Sequence, residues 1–130
     1  MIKYQLEFPI KSSIKILYNS ISTPSGLSEW FANDVNIRGD KYTFEWEMST
    51  QSAILLSKKA NEYIRFSWLE EGETELVDKS VFFELRIQVD EITSDVSLMV
   101  TDFAEDEEDM DEAKRLWESQ IGDLMHSIGS

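Results

Sequence analysis

The sequence predicts an α+β fold in which a curved antiparallel β-sheet of about six strands wraps around a long C-terminal helix, with two short helices after the first strand. Three patterns predict it: helical spacing of apolar residues beyond residue 108, alternation of apolar and polar residues through most of the segment 42–103, and helix-capping residues near positions 13 and 23. A length of 130 residues, without an internal repeat or a Gly/Pro/Ser-rich linker, indicates one domain over 1–130.

The first third of the chain is predicted to form one strand and two helices. The strand covers residues 2–10, where every second residue is apolar. A helix follows Ser12 or Ser13, because either hydroxyl can accept from free backbone amides and apolar residues then recur at helical spacing up to Ile21. Thr23 and Pro24, a capping residue before a proline, predict a second short helix up to about residue 32.

Five more strands are predicted at residues 42–48, 52–59, 63–68, 81–89 and 96–103. The segment 81–89 alternates most regularly, with five apolar residues on one face. Turn-forming residues such as Arg38-Gly39-Asp40 and Glu71-Gly72-Glu73 lie between the alternating segments. One apolar and one polar face per strand indicates an antiparallel sheet that is covered on one side only.

Net charge and cysteine content exclude several classes of function. The chain has 26 acidic and 12 basic residues, a formal charge of −14, and no cysteine. Such acidity disfavours nucleic acids and anionic lipid surfaces, since both must be neutralised by Lys and Arg. Without cysteine there is no disulfide and no thiolate metal site. No leader or stretch of about 18 apolar residues is found, so we expect a cytoplasmic protein without membrane insertion.

The acidic excess is concentrated before and within the C-terminal helix. Residues 102–130 hold ten acidic residues and two basic ones. The run at 102–112 fits a solvated tail, a divalent-cation loop or the first turn of a helix, where the dipole favours negative charge. We favour the helix turn, because a calcium loop needs a glycine and alternating ligands that this run lacks. Glu107, Glu108 and Asp109 then form an acidic surface for a protein partner.

Few residues are suited to catalysis. His126 is the single histidine, and its place near the end of a helix is explained by the negative end of the helix dipole. Arg65 and Arg86 interrupt apolar strand segments, but the alternation places them on the outer face of the sheet. Asp102 ends the last strand. No glycine-rich phosphate loop or ligand cluster is present, so we predict no catalytic residue, metal or cofactor.

Aromatic, methionine and aliphatic residues are predicted to converge between the sheet and the last helix. They are Trp30, Phe31, Phe44, Trp46, Met48, Phe66, Trp68, Phe83, Met99, Phe103, Trp117, Ile121 and Leu124. Aromatic residues dominate packed cores, and they also line ligand pockets together with adaptable methionines. The sequence leaves both interpretations open.

A Trp-Phe pair, Trp30 and Phe31, follows the second predicted helix, which contains Pro24 and Leu27, and Phe8-Pro9-Ile10 precedes the first helix. In these features the chain resembles the START-like (SRPBCC) superfamily, and within it the domains similar to the activator of the 90-kDa heat-shock-protein ATPase. It looks most like small stand-alone bacterial members. The resemblance implies the helix-grip fold and favours a ligand pocket slightly over a filled core.

Three functional hypotheses follow. The first is non-enzymatic binding of a small hydrophobic or amphipathic ligand between the sheet and the C-terminal helix. The second is a protein-interaction or co-chaperone-like module that uses the acidic surface. The third, a cyclase or hydrolase, ranks last because no polar pair can be placed in the expected cavity. The free edges of a one-sided sheet also make a homodimer plausible.

Overall fold

The computed structural model describes residues 1–76 and 78–129, which form a seven-stranded antiparallel sheet and three helices. In chain order the elements are β1 (Ile2–Pro9), α1 (Ile14–Ser22), α2 (Pro24–Leu27), β2 (Asp34–Arg38), β3 (Lys41–Glu45), β4 (Thr50–Lys59), β5 (Tyr63–Trp68), β6 (Phe83–Val89), β7 (Val96–Ala104) and α3 (Glu107–Ser127). The α+β class and the long C-terminal helix are as the sequence predicts.

The sheet has the order β1-β7-β6-β5-β4-β3-β2. Strands β2 to β7 follow one another as a meander, and β1 pairs with the last strand, from Ile2 opposite Ala104 to Pro9 opposite Ser97. Helices α1 and α2 therefore carry the chain from one edge of the sheet to the other, with α1 packed against β5 and β6. Helix α3 packs against β1 and β7 on the same face.

Side-chain caps set the start of each helix. Ser13 Oγ accepts from the amide of Ile16 at 3.1 Å, Thr23 Oγ1 from that of Gly26 at 3.0 Å, and Asp106 Oδ1 from that of Asp109 at 2.9 Å. Gly26 is also required by packing, because a Cβ there would lie 2.3 Å from the carbonyl oxygen of Asn19 in α1.

The structure differs from the expected elements at three places. Strand β2 was not predicted, because it is a short edge strand in which Val35 alone is buried; Gly39, with φ of +61°, forms the tight turn that pairs it with β3. Helix α2 ends at Leu27 rather than near residue 32. Strand β3 ends at Glu45 because the amide of Trp46 donates to the carbonyl of Ser49 and turns the chain.

The outer face of the sheet contains a buried carboxylate, Glu84, which is 5% exposed. Arg65 donates to its Oε1 through Nε (3.0 Å) and Nη2 (2.7 Å). Arg86 donates through Nε to Oε2 and through Nη2 to Oε1, both at 3.1 Å. The two guanidinium groups lie over the rings of Phe82 and Tyr63, 4.1 and 4.3 Å from the ring centres. The arginines are on the outer face, as the alternation predicts.

Burial of Glu84 opposes its ionisation, but the hydrogen bonds and charges of Arg86 and Arg65 together outweigh burial and hold its pKa below the ordinary value. A carboxylate with a lowered pKa in the folded state stabilises the fold above the ordinary pKa of glutamate. That stabilisation is lost as pH falls through the lowered pKa.

We expect Glu84→Gln to lower the free energy of unfolding at neutral pH by about 1–3 kcal/mol, because two partly buried arginines lose their anion. The loss should shrink as pH falls through the lowered pKa of Glu84. Urea unfolding at a series of pH values measures both effects. Glu62→Gln, which removes an exposed ion pair with Lys59, should cost less than about 1 kcal/mol. Equal losses for the two variants would contradict the role assigned to Glu84.

Candidate functional site

Phe31 lies at the centre of an aromatic cluster on the helix-covered face of the sheet. Its ring centre is 5.0–6.3 Å from those of six other rings. These rings belong to Trp30, Phe44, Trp46, Trp68, Phe83 and Trp117. Edge-to-face and stacked contacts at these distances are favourable aromatic pairs. Phe31 is 5% exposed, so its side chain fills part of the space that the sequence left open as either a packed core or a ligand pocket.

Outside Phe31, an open cleft of about 440 Å³ lies between α3 and the ends of β3, β5 and β7. Its apolar wall consists of Phe31, Trp46, Trp68, Trp117 and Leu116, together with Ala113. Trp68 is 37% and Leu116 60% exposed, so solvent reaches this wall. Ser49, Gln51, Gln120 and Asp102 supply the polar part of the lining. The volume lies within the usual range of small-molecule sites.

Hydrogen bonds from the indole nitrogens hold two of these tryptophans in place. Trp46 Nε1 donates to the backbone carbonyl of Phe31 at 2.9 Å. Trp117 Nε1 donates to Asp102 Oδ2, also at 2.9 Å. Gln120 Nε2 is 3.4 Å from the same carbonyl of Phe31. The aromatic walls of the cleft are therefore anchored before any ligand binds.

Of the described residues that line this cleft, Asp102 alone is titratable. Besides Trp117, the hydroxyl of Tyr4 donates to its Oδ2 at 3.2 Å, and the amide of Phe103 donates to Oδ1 at 2.8 Å. Among the described residues, no Lys, Arg or His nitrogen lies within 4.0 Å of this carboxylate. Asp102 and Trp68 also border a second cleft of about 440 Å³ beside the loop after β5.

Burial raises the pKa of Asp102, and the hydrogen bonds from Trp117, the Phe103 amide and Tyr4 oppose that rise only in part. Burial and the nearby charge of Asp102 raise the pKa of Tyr4. Tyr4 is thereby kept as a neutral donor.

Ten of the thirteen predicted lining residues lie on the inner side of the fold, in three groups. Phe31, Trp46, Trp68 and Trp117 line the open cleft. Trp30 lies behind Phe31, where its Nε1 donates to the carbonyl of Ser20 at 2.8 Å. The remaining inward residues are fully buried in the packed core and border no open space: Phe44, Phe66, Phe83, Ile121 and Leu124.

Three predicted lining residues do not face this space. Met48 is 94% exposed, because the turn after Glu45 ends the alternation before it. Met99 pairs opposite Arg86, and Phe103 opposite Lys3 with its ring against Phe82, so both lie on the outer face. Both faces of β7 are rich in apolar residues, so the alternation there does not reveal which face is inward.

Sequence reasoning also left out residues that line the cleft. Asp102 is two residues beyond Val100 and therefore shares its face, but only the strand pairing shows that this face is the inward one. Gln120 is three residues beyond Trp117 on α3, which places both on one side of the helix. Gln51 and Ser49 follow an unpredicted turn, and nothing in the local pattern indicates that they border the cleft.

The remaining candidates lie outside the cleft. Glu107, Glu108 and Asp109 form the exposed first turn of α3, as the favoured interpretation of the acidic run predicts. His126 lies in the last turn of the same helix. Within the described part of the chain, no cluster of three or more His, Asp or Glu side chains has the geometry of a metal site. None of its helices is long and apolar enough to cross a membrane.

A one-sided antiparallel sheet that packs against a long C-terminal helix defines the helix-grip fold. The family model for the START-like superfamily domain matches residues 1–130, and the chain belongs to this family. The resemblance noted from Trp30, Phe31 and the order of elements is thereby confirmed.

Solved structures extend the comparison. The chain is similar to a Bacteroides fragilis protein, with 33% identity over 97% of this chain and 90% of that one, and a TM-score of 0.64. The Aha1 dimer from Colwellia psychrerythraea is 15% identical over 98% and 96% of the two chains, with a TM-score of 0.79. A Bacillus cereus protein is 14% identical over 98% and 96%, with a TM-score of 0.75. The last two show the fold alone. No curated protein sequence matches the chain significantly.

We expect Asp102→Asn to change the pH dependence of stability. Because the pKa of Asp102 is raised in the folded state, the protonated side chain contributes to the stability of the fold. This stabilisation is fully present below the ordinary pKa of aspartate and is lost as pH rises through the raised pKa. The free energy of unfolding of D102N, relative to that of the wild type, should therefore increase as pH rises from the ordinary pKa of aspartate to the raised pKa of Asp102. Urea unfolding measured in parallel for Asp111→Asn, which removes an exposed carboxylate of α3, gives the comparison. Identical pH profiles for the two variants would contradict the assignment.

Proposed function

We propose that the protein binds a small hydrophobic or amphipathic molecule, without catalysis, in the cleft between the sheet and α3. The observation that carries this proposal is the apolar wall formed by Trp46, Trp68, Trp117 and Leu116, in which Trp68 and Leu116 are exposed to solvent. Exposed apolar surface of this kind is unfavourable in water, and a ligand that covers it gains roughly 25 cal/mol per Å². START-like domains commonly bind ligands or mediate interactions, which supports the proposal.

Two further observations support binding rather than turnover. Among the described residues that line the cleft, Asp102 is the single titratable side chain, whereas nucleophilic catalysis needs an activated nucleophile with a base within hydrogen-bond reach. The tryptophans are held by hydrogen bonds to Phe31 and Asp102, so the wall is ordered in advance of binding. We place this activity in the cytoplasm, as the sequence predicts.

The binding of a neutral fluorescent probe, N-phenyl-1-naphthylamine, tests the proposal. We expect saturable binding to the wild type and about tenfold weaker binding to Leu116→Ser, because the ligand loses one apolar contact. Ile92→Ser is the matched control, since Ile92 is 94% exposed but lies outside the cleft, and it should bind as the wild type does. Absence of saturable binding, or equal affinities of L116S and I92S, would refute the proposal.

A second candidate function is interaction with a basic protein surface. The exposed acidic turn formed by Glu107, Glu108 and Asp109 at the start of α3 favours it, because clustered charge steers association in a salt-dependent way. A partner captured at low ionic strength should be released by salt and by reversing all three residues to lysine. A partner that binds the reversed variant equally well would exclude this surface.

A homodimer through the free edges β1 and β2 is a related proposal.

A further inference from the structure

We propose that the ligand of the cleft is an organic cation, a protonated amine or quaternary ammonium group joined to an apolar body. Its charged group would lie between the indole rings and the carboxylate of Asp102. This inference rests on the proposed function and narrows it to one chemical class.

The first argument is the bonding of Asp102. An ionised carboxylate offers about four acceptor sites. Tyr4 and Trp117 occupy two of them at Oδ2, and the Phe103 amide occupies one at Oδ1. One site at Oδ1 is left, and all three donors are neutral. A partly buried carboxylate is stabilised most by a positive charge, and in the described part of the chain no side chain supplies one within 4.0 Å.

The second argument is the aromatic wall. The ring centres of Trp46 and Trp68 are 6.4 Å apart with their planes inclined by 50°, and Trp117 approaches from α3. Tryptophan has the ring that binds cations best, and the attraction is strongest where water is excluded. A carboxylate beside several indoles is the arrangement that recognises ammonium groups.

The third argument is the sign of charge around the site. Among the described residues that line the cleft there is no Lys, Arg or His, and the ammonium of Lys114 lies outside this lining, over the ring of Tyr4, 5.8 Å from its centre. The adjoining cleft beyond Trp68 is bordered by Glu70, Glu73, Glu75 and Asp78. On the outer face, Arg65 and Arg86 are paired with Glu84. An anionic amphiphile such as a fatty acid or a phosphate ester would therefore meet repulsion, whereas a cation is attracted from a distance.

Three probes with the same octyl chain separate head-group charge from apolar binding: octyltrimethylammonium, octyl glucoside and octyl sulfate, each below its micelle concentration. Titration into ¹⁵N-labelled protein is followed by the indole signals of Trp117 and Trp46, with that of Trp30 as an internal reference because its nitrogen is bonded to Ser20 away from the cleft. We expect the cation to bind at least about tenfold more tightly than the neutral probe, and the anion most weakly.

Asp102→Asn should lower the ratio of the affinity for the cation to that for the neutral probe about tenfold, because any loosening of Trp117 affects both probes alike. An unchanged ratio would overturn the inference. Asp109→Asn changes the net charge by the same amount as Asp102→Asn, but at an exposed position of α3. This variant should still bind the cation more tightly than the neutral probe. Equal binding of cation and neutral probe by the wild type, a measurement that needs no variant, would overturn this inference while leaving the proposed function intact. Loss of the preference in D109N would also overturn it, since general attraction to an acidic protein would then explain the binding. If none of the three probes moves the indole signals, both this inference and the proposed function fail.

Discussion

The position of Phe31 is the constraint on which the rest of the structure depends. Its ring contacts aromatic residues from β3, β5, β6 and α3, and its backbone carbonyl accepts from Trp46 and lies near the amide of Gln120. One residue thus joins the sheet to the helix through both its side chain and its main chain. Aromatic pairs contribute about 0.5–1.5 kcal/mol each beyond the area they bury, so this arrangement resists any separation of helix and sheet.

A filled centre also determines where a ligand can bind. The space between sheet and helix, which the sequence left open as either a packed core or a pocket, is occupied by Phe31, Phe44 and Phe83, and the accessible cleft lies beyond them. The cleft is open on one side, so an apolar group can be covered there while a polar group remains near water. This geometry suits an amphipathic molecule better than a fully apolar one, which would gain more from complete enclosure.

The sheet contains two shielded carboxylates on its opposite faces, and they are stabilised in different ways. Glu84 is held by two arginines, and its pKa is lowered. Asp102 is held by neutral donors, and its pKa is raised. The charge of Glu84 is neutralised by the two arginines within the fold, so a structural role accounts for this residue. The second has only neutral hydrogen-bond donors and borders a cleft that three tryptophans also line, which is why the cleft, rather than the outer face, is assigned a function.

The sequence by itself determined the α+β class, the three helices through their caps and spacing, and the inward position of Phe31, Trp46, Trp68 and Trp117. Local periodicity suffices for these because helices and half-buried strands repeat every 3.6 and 2 residues. Tertiary structure decided the rest. The turn at Trp46 exposes Met48, and strand pairing puts Met99 and Phe103 outside but Asp102 inside. Whether the centre is filled depends on how closely helix and sheet approach, a distance set by contacts far apart in the chain.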